Sequence, residues 1–177
     1  ARAIAQHADY VEALRSRGVA VEELPPLAGA PDACFVEDTA IVLDEVAVIT
    51  RPGIESRRRE VGSVASALAK HRELITIDAP STLEGGDVVV AGETLFVGWS
   101  KRTNHAGLKE LAHRVLHLGY RVKAVEVRGC LHLKSAMTLI GPETLLIQPE
   151  WLDLTHVRGL ECLSVAPEEP FEFVARR

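Results

Sequence analysis

Glu84 and His132 are two residues whose types could perform acid–base chemistry together. Glu84 lies in Leu-Glu-Gly-Gly-Asp (83–87), where two glycines allow the backbone to turn tightly and approach a ligand closely. His132 lies between two leucines, and a histidine can donate a proton to a leaving amine and then take one from water near neutral pH. Taken alone, a solvated strand entry and a core histidine are the more common interpretations, so their relative placement must decide.

A second group of polar residues surrounds Phe35. Asp32, Glu37 and Asp38 flank this aromatic residue in the sequence. Several carboxylates beside one aromatic face suit a planar, charged guanidinium that is held by hydrogen bonds and by stacking. A solvated acidic strand end is the alternative interpretation of the same residues.

Positive charge is clustered at two places in the sequence. Arg57 lies within a run of three arginines (57–59), and Arg102 lies within Ser-Lys-Arg-Thr-Asn (100–104). An arginine from each cluster could clamp a carboxylate, because the guanidinium fork matches carboxylate geometry. Most such arginines are surface charges at helix starts, so we expect one arginine per cluster to face a site.

The sequence lacks the patterns of metal and nucleotide sites. Gly85 and Gly86 do not have the spacing of a phosphate-binding loop or a dinucleotide fingerprint. His113 and His117 lie four residues apart on a predicted helix, but no motif for a third ligand accompanies them. We therefore expect no metal and no nucleotide cofactor.

The three cysteines are widely separated. Cys34, Cys130 and Cys162 show no paired spacing of the kind that builds a zinc site. We interpret them as reduced thiols, and a small buried residue is the expectation for each.

Three segments share one order of elements, which predicts a repeat. Each has an apolar strand, a tight turn, a second apolar strand, a stretch with helical periodicity and a short strand. The first strands are 39–43, 88–91 and 135–140, the second 46–50, 94–98 and 144–148, the helical stretches 55–71, 104–119 and 149–158, and the last strands 74–78, 121–127 and 162–165. Residues 1–17 and 19–24 predict a further helix and strand, with a helix end at Gly18, and 171–174 predicts the start of another strand.

Aligning the hairpins places Phe35, Glu84 and His132 at one position, 49 and then 48 residues apart (84 − 35 and 132 − 84). A period of this length is typical of propellers, solenoids and arrays. In a radial repeat the tips of equivalent strands converge on the axis. The repeat therefore predicts that Glu84 and His132 meet in one pocket.

Composition narrows the class of protein. The 177 residues are 47% hydrophobic, enough for a core, and we expect residues 1–177 to form one domain. The net charge of −5 has no basic block and aromatics make up 5%, which argues against a nucleic acid partner. No apolar run predicts a membrane span or a signal peptide, so the expected location is cytoplasmic.

Six motifs in register resemble the dimethylarginine dimethylaminohydrolase family over residues 1–165. They are Pro-Asp-Ala-Cys-Phe-Val-Glu-Asp (31–38), Ile-Thr-Arg-Pro-Gly (49–53), Ser-Arg-Arg (56–58), Glu-Gly-Gly-Asp (84–87), Ser-Lys-Arg-Thr-Asn (100–104) and Leu-His-Leu-Lys (131–134). The resemblance implies an α/β fold, the five-bladed pentein propeller, of which about three strand–strand–helix–strand units are present. It also implies hydrolysis of methylated arginine to citrulline and a methylamine, with no metal or organic cofactor.

The resemblance also implies a role for each matched residue. His132 corresponds to the general acid/base, Glu84 to the acid that holds the guanidinium, and Asp38 to a second guanidinium-binding carboxylate. The residues matched to the amino acid end of the substrate, together with the aromatic residue packed beside it, are Asp32, Glu37, Arg57, Arg102 and Phe35, and both arginines face its carboxylate.

The family's nucleophile is a cysteine near its C-terminus, and none of the three cysteines here matches it. The chain begins without Met and stops before the last blade, so we expect missing blades at both ends and little activity from this chain alone. The family's substrate-covering loop is also absent. Arginine deiminase and a truncated, non-catalytic arginine-binding or interaction protein are the alternatives, and a homodimer is one way to cover the open strand edges of an incomplete ring.

Overall fold

The computed structural model describes residues 2–165. This part of the chain contains three α-helices, nine strands and several short 3₁₀ turns. The helices are α1 (Arg2–Arg15), α2 (Val61–Leu68) and α3 (His105–Val115). The strands are β1 (Ala40–Val42), β2 (Val46–Ile49), β3 (Glu73–Thr76), β4 (Val88–Ala91), β5 (Thr94–Trp99), β6 (Arg121–Glu126), β7 (Met137–Gly141), β8 (Thr144–Ile147) and β9 (Glu161–Ser164).

The strands form three separate three-stranded sheets with one topology, here called blade 1 (β1 to β3), blade 2 (β4 to β6) and blade 3 (β7 to β9). In each blade the first two strands form an antiparallel hairpin, and the third strand pairs in parallel with the second. A parallel pair requires a crossover connection, and α2 and α3 supply it in blades 1 and 2. The predicted strand–strand–helix–strand unit is thus confirmed for two blades, in agreement with the α/β propeller that the resemblance implies.

Local signals explain where α3 begins and ends. The side chain of Asn104 accepts a hydrogen bond from the Gly107 N–H at 2.8 Å, which satisfies one of the unpaired donors at the helix start. After α3, one 3₁₀ turn leads to Gly119, whose φ of 93° lies in the left-handed region that favours glycine. The periodicity of residues 104–119 therefore located this helix well.

Two predicted elements are wrong. Residues 149–158 contain only the 3₁₀ turn Pro149–Trp151, because Asp153 donates its N–H to the Glu126 carbonyl and its side chain accepts two hydrogen bonds from Thr155. These bonds hold an extended chain and a local turn in place of a helix. Residues 19–24 form no strand in the described chain, where Glu22 and Glu23 instead pair with the side chains of Lys70 and Arg15.

Other expectations differ in detail. The helix predicted for 55–71 starts as a 3₁₀ segment, Glu55–Glu60, before α2. Gly18 has a φ of 79°, which confirms the predicted end of α1. The strand predicted at 171–174 lies outside the described residues. None of the helices in residues 2–165 is long and apolar enough to cross a membrane.

Blade 2 is packed on both faces, because side chains alternate along its strands. Val88, Leu95 and Val97 belong to a cluster shared with blade 1, whereas Val89 and Phe96 belong to a cluster shared with blade 3. The core therefore lies between blades, and blade 2 fixes the positions of its two neighbours.

Replacing Leu111 with alanine is expected to destabilise the protein by about 2–5 kcal/mol. Leu111 is fully buried on α3 within the cluster between blades 1 and 2, so its loss leaves a cavity. Leu116→Ala is the matched control: the same residue type, 66% exposed just beyond α3, is expected to change stability by less than about 0.5 kcal/mol. Urea denaturation of both variants measures the difference, and equal effects would contradict the packing described here.

Candidate active site

The three blades present equivalent turns at one end of their first strands. A 3₁₀ turn precedes each first strand, and the residue immediately before each turn is the one that the repeat aligned. These residues and turns are Phe35 before Val36–Thr39, Glu84 before Gly85–Asp87, and His132 before Leu133–Ser135. The predicted meeting of Glu84 and His132 is present: His132 Nε2 lies 2.7 Å from Glu84 Oε2.

Glu84 is a fully buried carboxylate, with none of its surface exposed. Its Oε1 accepts the Gly53 N–H at 3.0 Å, and both oxygens lie 3.3 Å from Nη1 of Arg102. Burial alone would raise the pKa of Glu84, but the hydrogen bond with His132 and the charge of Arg102 outweigh burial and lower it. Glu84 is therefore held as a carboxylate.

The opposite holds for the pKa of His132. Burial would lower it, but the hydrogen bond to Glu84 and the negative charges of Asp87 and Asp38 together raise it. A ring with a raised pKa keeps its proton to higher pH than a free histidine does. His132 can thus deliver a proton to a group bound against it.

Asp38 places a second carboxylate beside the pair. Its Oδ1 accepts the Gly86 N–H at 3.2 Å and lies 3.8 Å from His132 Nε2, while Oδ2 accepts from Arg57 Nη1 at 2.6 Å. One atom from each of Asp38, Glu84 and His132 lies within 4.8 Å of the others. Because two carboxylates and an imidazole are fixed by directional hydrogen bonds, the cluster suits a cation that donates hydrogen bonds, such as a guanidinium.

The two glycines of the motif are needed for close approach. A Cβ on Gly86 would lie 2.9 Å from Cγ of His132 and 2.5 Å from Oδ1 of Asp38. A Cβ on Gly85 would meet the Glu37 carbonyl oxygen. Any side chain here would push the acids and the histidine apart, which explains Glu-Gly-Gly-Asp better than a flexible turn would.

Arg57 is buried inside the protein and paired with acids. It donates to Asp38 and to Glu60 at 2.6 to 3.0 Å, and to the backbone carbonyls of Asp32 and Phe35. Burial would lower the pKa of Arg57, but the hydrogen bonds to Glu60 and Asp38 outweigh burial and raise the pKa above its ordinary value. Arg57 thus orients Asp38. The predicted contact between Arg57 and a substrate carboxylate stays a prediction.

The remaining predicted residues lie at the rim. Asp32 is exposed and takes part through its backbone carbonyl, and Phe35 is 59% exposed. Glu37 accepts from Lys134 Nζ at 2.6 Å, which joins blade 1 to blade 3. The structure brings Glu84, His132, Asp38 and Arg102 together and leaves Asp32, Phe35 and Glu37 at the edge.

Asp87 has a role in the site that its sequence motif did not predict. It is fully buried, its Oδ2 accepts from the hydroxyls of Ser100 and Thr103 at 2.7 Å, and its Oδ1 accepts the Leu133 N–H at 3.0 Å. Burial outweighs these bonds and raises its pKa. Asp87 therefore ties the turn that carries Arg102 to the turn that follows His132. The only sequence signal was an acid at the end of a two-glycine turn, directly before an apolar strand.

The expectation of buried cysteines is wrong for two of the three. Cys34 and Cys162 are exposed and Cys130 is partly buried, and all three are free thiols. The Cys130 thiol donates to the His132 carbonyl oxygen, and burial together with the charge of Asp87 raises its pKa to about 11. A nucleophilic cysteine needs a lowered pKa, so Cys130 is not activated.

Comparison with protein families gives a match over residues 1–161 to the model described as N,N dimethylarginine dimethylhydrolase, eukaryotic. An N(G),N(G)-dimethylarginine dimethylaminohydrolase of Streptomyces coelicolor is 44% identical over 145 residues, which cover 81% of this chain and 56% of that protein. The enzyme of the same name from Pseudomonas aeruginosa is 31% identical over 173 residues, or 97% of this chain and 68% of that protein. The chain thus spans between about half and two thirds of the length of these relatives.

Solved structures agree with this result. A cysteine-to-serine mutant of the Pseudomonas aeruginosa enzyme in complex with citrulline is 29% identical and superposes with a TM-score of 0.86, covering 96% of this chain and 68% of that one. An amidinotransferase from Microseira wollei has a TM-score of 0.77 at 18% identity, covering 93% of this chain and 62% of that one. At that identity the likeness shows a shared fold alone.

Asp87→Asn is expected to destabilise the protein by about 1–3 kcal/mol, because an amide cannot accept both hydroxyl hydrogen bonds and the Leu133 N–H as the carboxylate does. Removal of the charge should also lower the pKa of His132, which a purely local packing defect would not do. Urea denaturation and NMR titration of the histidine ring measure the two effects. Asp78→Asn, at a 70% exposed side chain, is the control and should change neither.

The charged pair formed by Glu84 and His132 predicts a pH window. His132 has a folded pKa above the ordinary 6.5, so its contribution to stability is complete below about pH 6.5 and disappears as the pH rises through the folded pKa. Glu84 has a folded pKa below the ordinary 4.5, so its contribution is complete above about pH 4.5 and disappears as the pH falls through the folded pKa. The pair stabilises the fold most between these values.

Glu84→Gln tests this pairing directly. The variant should lower the pKa of His132, because burial is then opposed by fewer negative charges, and NMR titration of the ring resonances reports it. Glu45→Gln is the matched control: it removes an exposed carboxylate that accepts a hydrogen bond from the Tyr120 hydroxyl and has no contact with His132. An unchanged His132 pKa in Glu84→Gln would show that the 2.7 Å contact does not govern its protonation.

Proposed function

Since the chain belongs to the dimethylarginine dimethylaminohydrolase family, we propose that its protein hydrolyses N-omega-methylated arginine to citrulline and a methylamine. The observation that supports this most directly is the contact between buried Glu84 and His132 at 2.7 Å, with Asp38 Oδ1 3.8 Å from the same ring nitrogen. An acid that stays ionised can hold a guanidinium, and a histidine with a raised pKa can protonate an amine beside it.

The carboxylates would act first, by binding. Glu84 and Asp38 accept hydrogen bonds from the guanidinium nitrogens and keep the substrate positively charged. A cationic guanidinium has a more electrophilic central carbon than a neutral guanidine. Because both acids are already fixed by backbone N–H groups of Gly53 and Gly86, the two carboxylates themselves need not move when the substrate binds.

Bond changes then follow at the guanidinium carbon. A cysteine thiolate attacks that carbon to form a tetrahedral intermediate, and the C–N bond to the methylated nitrogen breaks as His132 gives its proton to the leaving methylamine. The product of this step is a thiouronium with a covalent C–S bond. Water then attacks the same carbon, His132 takes one proton from it, and the C–S bond breaks to regenerate the thiolate. The second proton passes through solvent to the released methylamine, which leaves neutral citrulline.

The nucleophile is proposed to come from outside these 177 residues. Cys34 and Cys162 are exposed, and the Cys130 thiol is bonded to a backbone carbonyl with its pKa raised to about 11. A nucleophilic thiolate needs a lowered pKa, which Cys130 lacks. Residues 2–165 therefore contribute the binding acids and the proton carrier.

The function is tested by expressing the protein from its complete reading frame, measuring its intact mass, and assaying citrulline release from dimethylarginine and from arginine. We expect citrulline from dimethylarginine, with His132→Asn and Glu84→Gln each slower by roughly 100-fold or more, as for loss of a general acid or of electrostatic stabilisation. His113→Asn, at an exposed histidine of α3, is the matched control and should retain activity. Release from arginine alone would instead identify a deiminase, and turnover of neither substrate would contradict the proposal.

A further inference from the structure

The hydrogen-bonding capacity of the Glu84 carboxylate is fully used. Two carboxylate oxygens offer about four lone-pair positions. Oε1 accepts from the Gly53 N–H and from Arg102 Nη1, and Oε2 contacts His132 Nε2 and the same Arg102 nitrogen. An additional donor, such as the guanidinium of a ligand, must therefore replace one of these three partners.

The three partners differ in how readily they can leave. The Gly53 N–H is a backbone group, and a Cβ on Gly53 would lie 2.9 Å from the Arg102 Cα, so these two backbone segments are in close contact. His132 makes the shortest contact with Glu84, at 2.7 Å. The Arg102 guanidinium makes the longest contacts, 3.3 Å to each oxygen, and its side chain is 20% exposed. Arg102 is thus the partner with room to move.

Arg57 provides a comparison within the same site. Its guanidinium also lies on a carboxylate of the site, Asp38, but its side chain is only 6% exposed. It is held in addition by Glu60 and by the carbonyls of Asp32 and Phe35. Displacing Arg57 would break four sets of contacts and leave Glu60 buried without its partner, whereas displacing Arg102 breaks one ion pair.

We propose that the Arg102 guanidinium occupies the position at Glu84 that a ligand guanidinium takes, and that binding exchanges one guanidinium for the other. The backbone of Arg102 stays in place, since its N–H is bonded to the Ser100 hydroxyl at 2.9 Å, so the side chain alone swings away. Resting on the proposed function, the displaced Arg102 then pairs with the carboxylate of the same ligand.

This exchange makes Arg102 a specificity-determining residue. A ligand that carries both a guanidinium and a carboxylate replaces the ion pair that it breaks with a new one. A ligand that carries only the guanidinium breaks the pair and offers Arg102 nothing in return. The site therefore discriminates against simple alkylguanidines by competition, without a steric barrier.

The test compares N-monomethyl-L-arginine with N-methylagmatine, which lacks only the carboxylate, by following the His132 ring resonances of the 177-residue chain during titration. In Arg102→Gln, the preference for methylarginine over methylagmatine should fall by roughly tenfold or more, because the ligand carboxylate loses its charge-assisted partner. Methylagmatine should bind roughly threefold or more tightly, because the internal competitor is gone and the competent state is fully populated.

Controls separate exchange from damage. Lys101→Gln makes the same charge change at the neighbouring, exposed position and should leave both affinities unchanged. Arg102→Lys keeps the charge and should lie between wild type and Arg102→Gln for both ligands. Thermal unfolding of each variant verifies that the fold is intact.

Each remaining outcome overturns the inference. Equal weakening of both ligands in Arg102→Gln would make Arg102 a positioning residue only, and unchanged methylagmatine binding would mean that it never competes for Glu84. Either result, combined with citrulline release by the complete protein, would leave the proposed function standing. If neither ligand bound to the wild-type chain, the exchange would fail, whereas citrulline release by the complete protein would still decide the proposed function.

Discussion

A carboxylate with no exposed surface cannot stay charged unless other groups replace the water that it has lost, and Glu84 sets this requirement for the whole site. Its replacement partners come from three places: the N–H of Gly53 after β2, the guanidinium of Arg102 after β5, and the ring of His132 in front of blade 3. Each partner is useful only if its blade is held within hydrogen-bonding distance. The charged state of Glu84 therefore depends on the packing of all three blades.

Apolar side chains between the blades provide this packing. Strands β4 and β5 send alternate side chains to opposite faces, so that blade 2 binds blade 1 through one cluster and blade 3 through the other. Asp87 adds a polar connection, because a single buried carboxylate bonds the turn at Ser100 and Thr103 and the backbone of Leu133. Apolar contacts bring the blades together without much directional preference, whereas the Asp87 bonds fix the last few ångströms between Arg102 and His132.

Within that frame the charged residues divide into fixed and movable groups. Arg57 and Asp38 form a buried pair whose partners surround it on several sides, so Arg57 stays in place and fixes the orientation of Asp38. Glu84 and His132 form a pair of matched pKa shifts, one lowered and one raised, which is the arrangement that separates an acid from a base in one pocket. Arg102, more exposed and more loosely bonded, lies between them and solvent. This gradation in burial is what the proposed exchange of Arg102 for a ligand guanidinium requires.

The sequence by itself determined the repeating unit, the positions of most strands, the helix that Asn104 begins and Gly119 ends, and the equivalence of Phe35, Glu84 and His132. These are consequences of alternation, helical periodicity and turn chemistry, which act over a few neighbouring residues. It failed at residues 149–158, where Asp153 bonds to the distant Glu126 carbonyl, and at 19–24, where a strand-like pattern found no ladder. Only the tertiary structure decided that Arg57 forms ion pairs with Asp38 and Glu60, that Arg102 forms one with Glu84, and that Asp87 joins two blades. The sequence offers many acids and arginines of similar character, and the choice among them depends on distance and burial, which exist only after the blades have packed.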